Sequence, residues 1–219
     1  MKPIIIKKDI KNINLRVKPN GEVALSVPLK TTDEHIAYVL NKRHDWIESK
    51  LAFYKCKNIA VRYEYVSGED CKFLGRHYRL KVTQSHKESV KLKGRYLNLL
   101  VKNKSNLIRK EALVKQWYYD KAEQYFKKVL AKYQPIVNKE IKQVRIRKMK
   151  TRWGSCNPEK SYINLNSELI KAPIQCIEYV IFHELAHLIH PNHDKGFYTY
   201  LTIHMPNWKQ VKNKLEDNY

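Results

Sequence analysis

Glycine is scarce in this chain, with six residues in 219, and there are only four cysteines. Cys56, Cys71, Cys156 and Cys176 are scattered without C-x-x-C spacing, which argues against a zinc knuckle and against a disulfide framework. Reduced thiols in a cytoplasmic protein are the expectation. Long apolar runs are also missing. The best candidate, around Ile177 to Ile189, is interrupted by Glu178, His183, Glu184 and His187, so no membrane span is expected. Met1 to Lys8 has only three consecutive apolar residues after its proline and lacks a signal-peptide core. A soluble, non-exported protein is expected. The last deficit is acid: 21 Asp and Glu stand against 43 Lys and Arg.

What is present can build a core. At 43% apolar content, the chain suffices for one large domain or two small ones. The net charge of +22 is uneven: residues 151–219 hold seven basic and seven acidic residues, so the whole excess lies in residues 1–150. An imbalance of this size attracts polyanions, which makes nucleic acid a possible partner of residues 1–150. A lysine-rich solubilising surface accounts for the same number equally well.

The pattern of elements points to an α+β fold. Asn14–Lys18 and Glu22–Pro28 flank Asn20-Gly21, a hairpin signal. Thr32-Asp33-Glu34 reads as a helix start, followed at helical spacing by Ile36, Val39, Leu40, Ile47, Leu51 and Tyr54. Residues 72–101 read as strands of a small curved antiparallel sheet. A long amphipathic helix then runs from Ser105 to about Tyr133, closed by Pro135. Its aromatics Trp117, Tyr118, Tyr119 and Tyr125 fit core packing better than a base-stacking platform. Strands follow at Gln143–Met149 and Tyr162–Asn166, and Pro173 opens another helix. Asp194 is a cap for a further helix through about Ile203, and Pro206 starts a terminal one. Two parts are expected: a basic, β-rich part over residues 1–103, and the long helix with a catalytic core over residues 104–219.

The chemistry is concentrated in His183-Glu184-Leu185-Ala186-His187. Histidines four apart lie on one helical face and can hold one metal ion, with Glu184 beside a water on it. A bound Zn²⁺ would make that water acidic and polarise a carbonyl, the core of metal-assisted peptide hydrolysis. Pro191 should end the helix near Ile189 or His190. His190 lies on the same stripe but seven residues from His183, roughly 10.5 Å along the axis, too far for easy convergence. His193, beyond the break, is the leading third ligand; His190, His204, Asp194 and Glu216 are the alternatives. The H-E-x-x-H-x5-H spacing equals that of the metzincins, but His190 stands where they need glycine.

Further residues carry a resemblance. Thr151-Arg152-Trp153-Gly154-Ser155-Cys156, Ile163-Asn164-Leu165-Asn166, Leu169-Ile170, Tyr179 to His187, Asn192-His193, Phe197 and Met205-Pro206-Asn207-Trp208 together resemble the YgjP-like metallopeptidase family, a relative of the SprT-like zincins. The specific match covers residues 144–215. It implies a zincin-like fold, one Zn²⁺ held by His183, His187 and His193, and Glu184 as general base. Asp194 departs from the family, which usually has a small hydroxyl residue there. The Thr151–Cys156 stretch reads as a strand-end turn with Trp153 against the metal-bearing helix; alternatively, Arg152 or Ser155 contacts substrate or an oxyanion.

The function expected is a zinc-dependent metallopeptidase acting on a protein or peptide. The strand Tyr162–Asn166 could pair with an extended substrate, and Tyr198 or Tyr200 could donate to the oxyanion. The alternative is a nucleic-acid-associated binding protein with a structural or vestigial zinc site. Glu184 argues against it, because a structural site needs no general base.

Overall fold

The computed structural model describes residues 3–18, 20–58 and 63–218. The chain divides into two compact units, residues 1–62 and 63–219. Among the described residues no helix is long and apolar enough to cross a membrane.

The first unit is a three-stranded sheet with two helices. Strands β1 (Ile4–Lys8), β2 (Asn14–Val17) and β3 (Val23–Pro28) are ordered β1-β3-β2. The β2–β3 pair is the antiparallel hairpin expected around Asn20-Gly21, with Gly21 at φ +83°. Leu25 and Val27 form a small core with Ile36 of α1 (Asp33–Lys42). Thr32 caps α1, its hydroxyl accepting from the His35 N–H at 3.3 Å. The periodicity from Ile36 to Tyr54 predicts one helix, but the backbone breaks at Arg43 (φ −105°, ψ 9°) and resumes as α2 (His44–Asn58). No glycine or proline marks the break. The two segments instead bury separate apolar residues, Ile36 and Leu51.

The second unit opens with β4 (Asp70–Phe73), β5 (Arg76–Gln84), β6 (Ser89–Lys93) and β7 (Tyr96–Val101), ordered β4-β5-β7-β6. This sheet is mixed rather than antiparallel as expected. The β6–β7 hairpin folds back so that β7 inserts beside β5, and that pair runs parallel. Leu80, Leu97, Leu99 and Val101 face α3 (Leu107–Val137), meeting its Val114 and Trp117. The helix aromatics are core, as their spacing suggests: Trp117 lies 5.1 Å from Phe73, and the Tyr118 hydroxyl donates to the Lys72 carbonyl at 2.8 Å. Pro135 does not close α3. Proline lacks only its own N–H, so the following residues can still bond back, and the helix ends at Asn138, left-handed at φ +50°, whose N–H donates to Gln134.

A second three-stranded sheet follows, with β8 (Gln143–Arg147), β9 (Gly154–Asn157) and β10 (Tyr162–Asn166) ordered β8-β10-β9. After a 3₁₀ turn (Ser167–Lys171) comes α4 (Ile174–Ala186), then α5 (Lys195–His204) and α6 (Trp208–Asn218). Helix α4 is apolar nearly all round and is buried accordingly, since a one-sided surface could not satisfy it. Its packing against α3 is keyed by Tyr133 on Phe182, ring centroids 5.1 Å apart, and by Glu178 accepting from Lys132 at 2.7 Å. The turn between β4 and β5 pins the start of α4. Gly75, at φ +77°, lies so close to Pro173 that a Cβ there would sit 2.7 Å from the proline Cα.

Candidate active site

Helix α4 delivers His183 and Glu184, and His187 forms its C-terminal cap. Regular geometry ends at Ala186, earlier than the expected Ile189 or His190. Tighter bonds take over, from Leu188 to Leu185 and from Ile189 to Ala186. The chain then turns back through Pro191, and Asp194 caps α5, its carboxylate accepting from the Phe197 N–H at 2.9 Å. That turn returns His193 to α4.

The imidazoles of His183, His187 and His193 converge: each offers a ring nitrogen, and these three lie within 4.8 Å of one another. The Nε2 atoms of His183 and His193 are 3.0 Å apart, close to the separation of two donors sharing one ion at about 2.0–2.1 Å. His187 Nδ1 faces the His190 carbonyl at 3.1 Å. A proton placed there leaves the Nε2 lone pair free, the usual arrangement of a histidine prepared to bind metal. Phe197 forms the floor, its ring centroid 4.9, 4.6 and 4.8 Å from those of His183, His187 and His193. Burial, reinforced by His187 and His193, holds the His183 imidazole down at about 3. His187 and His193 are also lowered, chiefly by burial. Such rings stay neutral and keep their lone pairs, so the donor set fits a divalent transition metal.

Among the described residues none of the alternatives for third ligand joins this cluster, although Glu216 lines the cleft beside it. His190 contributes its backbone carbonyl, and its ring lies 5.6 Å from that of Tyr200. His204 packs on Tyr200 at 4.6 Å, Asp194 is the helix cap, and Glu216 is 3.9 Å from Lys212.

Glu184 is buried, and burial pushes its carboxyl up to about 8, the Arg152 guanidinium opposing the shift. It packs against Gly154 of β9 so closely that a Cβ there would lie 2.7 Å from Glu184 Cγ and Oε1. A cleft of about 370 Å³ opens over this pair. Arg152, Trp153, Tyr179 and Tyr198 line it together with Lys212 and Leu215 of α6. The two tyrosines of α5 are separated by the fold: Tyr198 reaches the cleft and stacks on Trp208, whereas the Tyr200 hydroxyl donates to the Ile136 carbonyl. Cys156 is partly buried, and its thiol is pushed up to about 12 by burial and by Glu184. It is no nucleophile at neutral pH.

The Thr151–Cys156 stretch is more than a turn. It leads into β9, which pairs on one side with β10 and forms the sheet edge beside α4. The strand Tyr162–Asn166 is therefore no docking strand: β8 and β9 occupy both of its edges. Sequence reasoning missed the roles of Gly154, Phe197 and Lys212. A glycine placed within a strand of a glycine-poor chain was the available signal for the first. Phe197 was among the residues that carry the family resemblance, without a role, and nothing marked Lys212.

Comparison with known proteins agrees with the likeness seen in the sequence. Among solved structures, the chain is similar to the metallopeptidase zymogen abylysin of Pyrococcus abyssi, at 21% identity and a TM-score of 0.39, over 41% of this chain and 90% of that one. It is similar to the metallopeptidase zymogen jannalysin of Methanocaldococcus jannaschii at 20% identity and a TM-score of 0.38, over 42% and 94%. No curated protein matches significantly. The YgjP-like metallopeptidase domain matches residues 11–218, which span both units, the three-histidine cluster and Glu184, and the chain belongs to that family.

Proposed function

We propose that this protein is a zinc-dependent peptidase in which His183, His187 and His193 hold one zinc ion and Glu184 is the general base. The observation that carries this reading is the convergence of three neutral imidazoles in a cleft that also contains a buried carboxylate. When bound, the ion supplies a Lewis acid that polarises the scissile carbonyl and makes water acidic. A cation held by the three histidines would favour the ionised form of Glu184, and the carboxylate would take a proton from the attacking water and return it to the leaving amine. Its fixed position against Gly154 aims the carboxylate, and its burial keeps the base poorly hydrated. Tyr198 and Arg152 are the cleft donors available to the developing oxyanion. An extended substrate adds to the free edge of β9, where main-chain bonds hold it alongside Glu184. The free thiols of Cys71, Cys156 and Cys176 suit a reducing cytoplasm.

The test compares wild type with Glu184→Gln for zinc content and for turnover of casein or a quenched peptide. One zinc in each protein, with turnover at least about 100-fold lower in the variant, supports the mechanism. Equal turnover in both, or zinc retained after His193→Ala, contradicts it.

A further inference from the structure

We propose that the outer face of the β4–β7 sheet binds single-stranded nucleic acid. The sheet buries only one side. Residues paired across strands share a face, so the registers define the other side as two rows. Asp70, Arg79, Tyr96 and Lys93 form one row, and Lys81, Asn98 and Lys91 the next. In each row the β7 residue has a cation on either flank about 4.8 Å away; the rows are roughly 6.7 Å apart along the strands. The four cations are exposed, and Tyr96 is half-exposed between Arg79 and Lys93.

An exposed aromatic ring set between cations separates this face from an ordinary lysine-rich surface. Elsewhere in this unit several lysines have an acidic partner: Lys115 with Glu111, Lys127 with Glu123, Lys132 with Glu178 and Lys171 with Glu168. On the sheet, Lys81, Lys91 and Lys93 form no ion pair among the described residues. The nearby acids are already engaged, Asp70 with His77 at 2.8 Å and Glu88 with Arg109 at 2.7 Å. Like charges gathered on one face repel. An anionic partner with regularly spaced charges relieves that repulsion, and a phosphodiester backbone following the two rows provides it. Tyr96 adds what a purely electrostatic surface lacks, an aromatic ring on which an unpaired base can stack. The sheet is far too wide for a duplex groove but presents the flat, basic, aromatic platform that a single strand needs.

The experiment titrates the full chain into fluorescein-labelled 20-nucleotide oligo(U) and oligo(dT), read by anisotropy at several salt concentrations; the two probes separate RNA from DNA as the source. Lys81→Glu/Lys91→Glu is compared with Lys115→Glu/Lys127→Glu, a control of identical net charge on α3. The sheet pair should weaken binding at least tenfold and flatten the salt dependence by about 1.4 in log–log slope. The α3 pair should change affinity less than threefold. Tyr96→Ala should cost about tenfold with the salt slope unchanged. Lys81→Gln/Lys91→Gln, with melting curves for every variant, guards against misfolding as the cause. Equal losses from the sheet and α3 pairs, or a duplex bound as tightly as the single strand, overturn the proposal. So does binding only to vesicles containing phosphatidylserine, which would make the face a membrane surface.

Discussion

Glu184 owes its position to a residue with no side chain. A methyl group at Gly154 would have to share space with the Glu184 carboxylate, and overpacking of this kind costs about 1–3 kcal/mol. The strain is most easily relieved by moving the carboxylate. Gly154→Ala is therefore expected to lower kcat/KM about tenfold or more while zinc stoichiometry, read by atomic absorption, stays at one. Loss of metal together with activity would show that the contact supports the histidines rather than the base. The thiols provide a second residue-scale check. Burial holds Cys71 up at about 11 and Cys156 at about 12. A raised thiol pKa leaves little thiolate at pH 8, and thiolate is the reactive form. Site-resolved mass spectrometry should find both residues alkylated by iodoacetamide at least about a hundredfold more slowly in the folded than in the unfolded protein. The rates should climb as pH rises towards those values.

At the scale of elements, the three-histidine cluster depends on how α5 begins. Asp194 satisfies the Phe197 N–H, and Phe197 is the ring that supports all three imidazoles. Removing the cap with Asp194→Ala should cost about 1 kcal/mol in urea denaturation and weaken zinc binding. Asp194→Ser, which restores a capping oxygen, should recover most of both. Element identity was largely legible, because apolar periodicity, Thr32, Asn20-Gly21 and Asp194 are local signals. What sequence periodicity missed were the break at Arg43, the continuation of α3 beyond Pro135 and the parallel pairing of β5 with β7. Each depends on which surface packs against which, and that information is distributed along the chain.

At the scale of the whole molecule, both larger cores, the cleft and the three histidines lie within residues 63–219. A chain restricted to those residues should melt cooperatively by circular dichroism and bind one zinc. A non-cooperative transition or absent metal would show that residues 1–62 are needed to complete the fold. The +22 charge also gains meaning only at this scale. Counting residues located the excess in 1–150, but α3 pairs Lys115 and Lys127 with acids four residues away, whereas Lys81, Lys91 and Lys93 gather on one face from β5 and β6 without an ion pair among the described residues.

The amino-acid order alone placed the candidate donors: two histidines one helical turn apart, a glutamate between them, and a proline that turns the chain towards a third histidine. These are short-range facts, determined by helical pitch and by the missing amide hydrogen of proline. Only the tertiary structure brought the His193 ring against those of His183 and His187, seated all three on Phe197, set Glu184 against Gly154 and made β9 rather than β10 the open edge. Those outcomes follow from packing between segments far apart in the chain, where close contact and the limited number of sheet edges decide what local spacing leaves open.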